Sequence, residues 1–481
     1  MEKETTSSLS RRHFLRSGAL ATAAFYIVPR HVLGKGFVAP SDKLNIAAVG
    51  CGGKADYNIQ QAYNNGSDNF VALCDVDDRQ SKKYREKFPN APYYRDFRKM
   101  LDAEAKNIDA VIVTTPDHMH YPVAMAAMAL GKHVYVEKPL THDLWEARQL
   151  TEAAQRYKVV TQMGNQGSSG KWTRVVENII ATGAIGSVHT VEVWTNRPVW
   201  PQGVKSPKDK GEKQAIPSEV DWDLWLGTAP YRDYHEAYMP FRWRGYWDFG
   251  TGALGDMGCH FMDVPFRALH LGYPTSVECS VGSVYKDFFD EAFFDDVCPP
   301  ATAIHLKFPS QDKKVKEISL SWYDGGIRPK LPDGCSYEKV FANIDGGILF
   351  TGTKGILAAE LFGNNPKLFP EDKFANYKMP APIRPLVEGD TAGHQQQWVK
   401  ACKQGFGTYT SSSFDQSGPL TETVIMGNLA VRSYLYREPR AKGGFNFPGR
   451  KRLLWDGQNQ QITNFDVANQ FVRRKYREGW T

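Results

Sequence analysis

No apolar run in this sequence reaches the ~18 uninterrupted residues that a membrane-spanning helix needs, so composition gives no ground for an integral span. Cysteine is sparse: the 481 residues hold seven, odd in number, scattered from Cys51 to Cys402 and without a C-x-x-C. That spacing argues for neither a zinc site nor a disulfide framework, although one pair could still bridge. Charge of one sign is not in excess either. Lys and Arg number 59 against 53 Asp and Glu, a formal net charge of +6, which offers no footprint for nucleic acid. What is abundant is core-forming material. Hydrophobic residues make up 42% and aromatics 12%, which excludes a disordered chain, and the length suits two domains.

The chain opens on Ser10-Arg-Arg-His-Phe-Leu-Arg16, followed by an apolar segment from Ala19 to Val28 and then Pro29. Paired arginines, a Phe-Leu step and a further basic residue before a short apolar run read as a twin-arginine export signal over residues 1–34. The expectation is a periplasmic or otherwise exported protein. Any nucleotide cofactor then has to be carried across with the folded chain and retained.

Lys43-Leu-Asn-Ile-Ala-Ala-Val-Gly50 reads as a buried strand running into Gly50-Cys-Gly-Gly-Lys-Ala55 and a helix. This is G-x-G-x-x-A, a dinucleotide fingerprint. Gly50 allows the tight turn, Gly52 lets the backbone approach a pyrophosphate, and Ala55 lets helix and strand pack closely. Gly53 lies in the same loop, at the helix start where backbone N–H groups face phosphates. The next strand, Phe70-Val-Ala-Leu-Cys-Asp75, ends in a carboxylate suited to an adenosine ribose, and its negative charge favours NAD over NADP. Asp109–Thr115 is another buried strand, with Pro116-Asp-His-Met-His120 as its loop. Val134-Tyr-Val-Glu-Lys-Pro-Leu140 delivers Glu137 and Lys138 to a strand end, and Val159–Gly164 delivers Asn165 and Gln166. Open α/β sheets bind ligands on that rim. Thr115, Pro116, His118, His120, Glu137, Lys138, Asn165 and Gln166 are therefore cofactor-site candidates. The fold expected for residues 42–165 is a Rossmann domain with a parallel sheet and helical crossovers.

After residue 165 the period changes. Ser187–Trp194 alternates as a half-buried strand does, and strand-like runs recur at Ser276–Tyr285, Ala301–Phe308, Glu317–Trp322 and Gly347–Leu361. Residues 166–481 are expected to form an α+β domain on an open, mainly antiparallel sheet with helices on one face. A helix is expected from Pro419 to Tyr436. The basic end Arg473-Arg-Lys-Tyr-Arg477 reads as solvated charge or a subunit contact. An aromatic stretch from Trp222 to Phe249 is mostly core, and Trp243, Arg244 and Trp247 within it are candidates for contact with a sugar.

The second chemically informative stretch is Gly250-Thr-Gly-Ala-Leu-Gly-Asp-Met-Gly-Cys-His-Phe-Met-Asp263. Asp256 and His260 share a face if one helix runs through both. Pro265 prefers a first turn, so a helix starting near Phe261 leaves both residues in its approach loop. No third ligand at convincing spacing makes this a metal site.

Glycine loop, Thr115-Pro116, Glu137-Lys-Pro139 and Gly252-Ala-Leu-Gly-Asp…His260, in this order, resemble the glucose–fructose oxidoreductase / inositol 2-dehydrogenase family (Gfo/Idh/MocA). With the export signal, the chain looks most like exported members that resemble glycoside 3-dehydrogenases and NAD-dependent glycosidases. Gly250-Thr-Gly252, where the family often has Gly-Gly, and Pro265 depart from the pattern. The resemblance implies that Gly50, Gly52, Asp75, Thr115, Glu137 and Lys138 contact NAD, that Lys138 and His260 meet a reacting sugar hydroxyl, and that the chain is a homo-oligomer. In the mechanism expected from it, His260 takes the hydroxyl proton, Lys138 stabilises the alkoxide, and Asp256 orients the imidazole and favours its protonated form. A redox-neutral glycosidase uses the same residues, and a non-catalytic sugar or nucleotide binder on this fold is a third reading.

Overall fold

Short strands rich in β-branched residues, each followed by a helix, pair here in parallel. The computed structural model describes residues 42–333, 335–337 and 346–480; the export signal read in residues 1–34 lies outside them. The first sheet comprises β1 (Asn45–Val49), β2 (Asn69–Cys74), β3 (Tyr93–Tyr94), β4 (Ala110–Val113), β5 (His133–Val136) and β6 (Thr161–Met163). Its order is β3-β2-β1-β4-β5-β6 with every pair parallel. The two-residue β3 is too short to show a period and was not legible as a strand. Reversal of strand order between β1 and β4 opens a crevice at their carboxyl ends. Aspartates fix the helix starts around it: Asp77 and Asp96 accept from Arg79 and Arg98 N–H, and Asp143 forms a capping box with Glu146 at the helix Leu144–Tyr157.

The second sheet uses β7 (Val188–Thr195), β8 (Ser276–Val281), β11 (Thr302–Pro309), β12 (Glu317–Tyr323), β13 (Gly346–Gly352), β14 (Gly355–Ala359), β15 (Lys367–Phe369), β18 (Leu453–Asp456) and β19 (Gln461–Ile462). Separate short ladders join β9 (Val284–Asp287) to β10 (Asp290–Ala292) and β16 (Glu438–Pro439) to β17 (Phe445–Asn446). The sheet order is β15-β14-β13-β7-β12-β11-β8-β18-β19. Its pairs are antiparallel except β7 with β12, so the sheet is mainly antiparallel, as expected, with one parallel pair. Ile304, Leu306 and Phe308 are buried while Ala303, His305 and Lys307 between them are half-exposed, the signature of a sheet covered on one face. The run Gly347–Leu361 is two strands rather than one, folding back at Thr353-Lys354.

The helix Phe414–Leu435 lies between the two sheets, packed against the helix Leu144–Tyr157 on one side and β8 on the other. It is buried around most of its circumference, as expected for a helix without a polar face. It starts five residues before the expected Pro419 because tertiary contacts override the proline. Phe414 is fully buried, and its N–H donates to Thr161 Oγ1 at 3.0 Å. Gly427 lets the helix Gly252–Phe261 approach closely: a Cβ there would lie 2.5 Å from Leu254 Cδ2.

Within the stretch Arg473–Arg477, Arg473 and Lys475 are exposed as expected for solvated charge, whereas Arg474 is drawn against the first half of the molecule. Trp145 N–H donates to the Val472 carbonyl at 3.1 Å, and Arg474 Nη2 donates to Glu146 Oε1 at 2.8 Å and to the His118 carbonyl at 2.6 Å. The buried carboxylates of the capping box draw this arginine in.

Arg148 and Glu422 join the two halves by a bidentate pair, Nε to Oε1 and Nη2 to Oε2, both 2.8 Å, with Glu422 1% exposed. Arg148→Met leaves that carboxylate buried without its partner. Chemical unfolding should show a loss of about 3 kcal/mol; a loss below about 0.5 kcal/mol would show the pair to be incidental.

Candidate functional site

One cavity of about 620 Å³ opens at the crevice between β1 and β4 and extends to the helix Gly252–Phe261. Gly50 begins its floor. This residue has φ +83°, and a Cβ would stand 2.5 Å from the Thr114 carbonyl oxygen, so only glycine fits. Gly52, Gly53 and Lys54 continue the wall. Gly53 precedes the helix Lys54–Tyr63, and no side chain caps that helix start. Ala55 does not line the cavity. It is fully buried between helix and sheet, so its role is the close packing read from the motif rather than contact with a cofactor.

Asp75 follows β2 and lines the same cavity. Its Oδ2 accepts from Cys51 N–H at 2.7 Å and its Oδ1 from Asp77 N–H at 3.0 Å. Burial pushes this carboxyl up to about 6, against the pull of those two N–H groups.

Thr115, Pro116, His120, Glu137, Lys138 and Gln166 all line the cavity. Their freedom differs. His120 bridges two loops, with Nδ1 2.8 Å from the Pro139 carbonyl oxygen and Nε2 2.9 Å from that of Thr115. Glu137 Oε1 accepts from Asn58 Nδ2 at 2.9 Å, which ties it to the helix after the glycine loop. Thr115 Oγ1 and Gln166 Oε1 are buried with no hydrogen-bond partner among the described residues. Unsatisfied buried polar atoms cost about 1–3 kcal/mol each, and an occupant of the cavity relieves that cost.

Two rim candidates point away. His118 is fully buried, with Nε2 3.0 Å from the Trp225 carbonyl oxygen and Nδ1 3.3 Å from that of Phe249. Burial, then Arg474, pushes its imidazole down to about 3. Asn165 is also internal: its Nδ2 donates to Ser168 Oγ at 2.8 Å and its Oδ1 accepts from Ser412 Oγ. Trp247 is buried in the core, whereas its neighbours Trp243 and Arg244 line the cavity.

The second half contributes the helix Gly252–Phe261, which runs unbroken through Asp256 and His260. Pro265 belongs to a separate helix, Asp263–Ala268, and the junction at Met262 leaves the first one intact. Asp256 and His260 are therefore one turn apart. Lys138 Nζ donates to Asp256 Oδ1 at 2.8 Å and to its main-chain carbonyl at 2.7 Å, while Arg244 Nε donates to the same Oδ1 at 3.1 Å. Burial alone would raise this carboxyl, but Lys138 and Arg244 outweigh burial and hold it far below the usual carboxylate range.

His260 lines the cavity, and its ring meets Phe362 edge-on at 5.3 Å. Its Nδ1 has no partner among the described residues, so Asp256 does not orient it through a hydrogen bond. Burial first, and the Lys138 ammonium second, push the imidazole well below its ordinary value. Asp256 opposes that shift without reversing it. The ring is therefore held neutral, contrary to the expectation that Asp256 keeps it protonated.

Several wall residues were missed. Lys54 sits inside the glycine motif and was findable from position. Leu224, Trp225 and Phe241 lie in the aromatic stretch Trp222–Phe249, where nothing local separates cavity residues from core, and Trp480 comes from a distant segment with no local signal. Phe241 has φ +68°, strained for an aromatic residue, and its ring stays half-exposed with the Arg244 guanidinium 4.2 Å above it.

Residues 44–165 match the model of an oxidoreductase family with an NAD-binding Rossmann fold, and residues 170–283 match that family's C-terminal alpha/beta domain. The chain belongs to the Gfo/Idh/MocA oxidoreductase family. It is 26% identical over 206 residues to an alpha-N-acetylgalactosaminidase of Shewanella oneidensis, covering 38% of this chain and 44% of the relative. It is 27% identical over 202 residues to an NADP-dependent scyllo-inositol 2-dehydrogenase of Bacillus subtilis, covering 42% and 45%. The match thus spans less than half the length of these curated relatives. Among solved structures, the WlbA dehydrogenase of Bordetella pertussis, in complex with NADH and UDP-GlcNAcA, shares the fold. Its TM-score is 0.55 at 16% identity, covering 81% of this chain and 97% of that one. The aldose-aldose oxidoreductase of Caulobacter crescentus superposes with a TM-score of 0.52 at 17% identity, covering 81% and 98%.

NAD is the cofactor of this Gfo/Idh/MocA chain, and the cavity fits it. The Gly50–Lys54 loop would hold the pyrophosphate, Asp75 the adenosine ribose, and the rim near Gln166, Lys138 and His260 the nicotinamide. An ionised Asp75 accepts ribose hydroxyls and a protonated one loses that acceptor, so NAD affinity should fall as pH drops through about 6. Asp75→Asn should flatten this dependence. Titration of NAD from about pH 7.5 to about pH 5 checks it; equal slopes for both proteins contradict the role of Asp75.

Proposed function

We propose that this protein oxidises a carbohydrate hydroxyl, and that its preferred reaction converts the C3 hydroxyl of a glycoside to a ketone with NAD retained in the cavity. The observation that carries this reading is that Lys138 and a neutral His260, from opposite halves of the chain, face one cavity with the glycine loop. Bound there, NAD supplies a hydride acceptor at its nicotinamide ring. The rest is the work of the chain. A neutral imidazole can accept the hydroxyl proton, and one held neutral by its surroundings is ready without first shedding its own. An ammonium group has three N–H donors; Lys138 directs bonds to two oxygens of Asp256. A third remains for the substrate oxygen, stabilising the developing alkoxide by a charge-assisted hydrogen bond. Phe241 and Trp243 offer aromatic faces to sugar C–H groups.

The likeness to an alpha-N-acetylgalactosaminidase favours a second reading, an NAD-dependent glycosidase in which oxidation is transient. The ketone then acidifies the neighbouring C–H, the C1 substituent leaves, water adds, and the sugar is reduced again. Mass spectrometry separates the two: a glycoside lighter by two hydrogens marks the dehydrogenase, and free sugar without net oxidation marks the hydrolase. Export through the Ser10–Arg16 motif and self-association through the second sheet belong to the same proposal.

His260→Ala should lower turnover by roughly 10²–10⁴ with NAD still bound. Because its surroundings depress His260, the acid limb of kcat/KM should lie below about 6.5. Lys138→Met removes one depressing charge, so the limb that remains should move to higher pH. An acid limb at or above the ordinary histidine value in the unmodified protein contradicts the assignment of His260 as a neutral base.

A further inference from the structure

We infer that Trp480 is a cofactor-binding residue, forming the outer wall of the adenine end of the cavity at the tip of a strap, Arg473–Trp480, that holds the nucleotide in. The inference rests on NAD occupying this cavity. Asp75, placed for the adenosine ribose, marks the direction. Beyond it, towards the β3 edge, the cavity is walled by Arg95, Asp96 and Phe97, and Trp480 closes this end. The indole packs beside Phe97 at 6.4 Å, with the Arg98 guanidinium 4.3 Å above it. It remains only partly buried, although it lies among apolar and aromatic groups. An adenine base inserted here would meet an aromatic face, and base–aromatic stacking needs no matching hydrogen bonds.

The strap is anchored along its length. Arg474 pairs with Glu146 at 2.8 Å, with 14% of its side chain exposed against none for the glutamate. Tyr476 OH also donates to Glu146 Oε1. Arg477 then crosses to the opposite wall. Its N–H donates to the Thr228 carbonyl at 3.1 Å, its Nε to Gly227 at 3.1 Å and its Nη2 to the Asp223 carbonyl at 2.8 Å. These three carbonyls lie in and just after the helix Trp222–Leu226, whose Leu224 and Trp225 line the same cavity. One segment thus ties the first sheet's helix to the far wall and sets an indole against Phe97 and Arg98. A dinucleotide seated behind it leaves only when this contact opens, which raises affinity by slowing dissociation.

The test is the binding of NAD, ADP-ribose and nicotinamide mononucleotide to the full chain and to Trp480→Ala and Trp480→Phe. Trp480→Ala should weaken NAD and ADP-ribose by about tenfold or more, with NAD released correspondingly faster. Nicotinamide mononucleotide should bind unchanged, and Trp480→Phe should recover most of the loss. Equal NAD affinities for Trp480→Ala and the unmodified protein overturn the inference. So does an equal loss for nicotinamide mononucleotide, which would mark a general distortion. An unmodified protein that takes up no NAD at all overturns the cofactor assignment itself.

Discussion

The ion pair between Lys138 and Asp256 is the constraint on which the rest of the site depends. Its partners come from different sheets' territories, one at the end of β5 and the other on the helix Gly252–Phe261. Both are largely withdrawn from water, with 12% and 10% of their side chains exposed. Such a pair repays its desolvation only with good geometry and further hydrogen bonds. Here the lysine also donates to the Asp256 main-chain carbonyl and Arg244 adds a second cation. The result fixes helix against strand, and His260 follows one turn later. A second link beside it, Thr251 Oγ1 donating to Asp117 Oδ2 at 2.6 Å, holds the start of the same helix against the loop after β4.

That pair also organises the electrostatics. Asp256 is kept ionised by two cations, so it anchors Lys138 and does not act as an acid. His260 is buried and lies within the field of the lysine, so it is neutral, and its Nδ1 has no partner among the described residues. Two groups that a spacing rule treats as a carboxylate–imidazole dyad thus have separate roles. Transient and net oxidation of a sugar make the same demand for a neutral base beside a cation, which is why geometry at this site favours carbohydrate redox chemistry without choosing between its two outcomes.

Much of the first half was legible because its signals are local. The turn at Gly50 and the carboxylate at Asp75 follow from backbone sterics and spacing within a few residues. The placement of Lys138 after a buried strand is equally local. Side-chain direction is not. His118 and Asn165 occupy rim positions but turn inward, where Trp225, Phe249, Ser168 and Ser412 satisfy them. Those partners are as many as 247 residues away in sequence. Pro265 gave a misleading boundary because it starts a new helix without disturbing the one before. Arg474 looked like surface charge until Glu146 supplied its counter-ion across 328 positions. Phe241 and Trp480 carry no periodicity of their own; their positions follow from strain and from the strap's anchors.

The account is tested most directly by a crystal structure with NAD and an unreactive glycoside analogue bound. It predicts the nicotinamide ring and one sugar hydroxyl together between Lys138 Nζ and the His260 imidazole, with the hydroxyl oxygen within about 3.2 Å of each. A nicotinamide seated elsewhere, or a sugar that meets neither group, would contradict it.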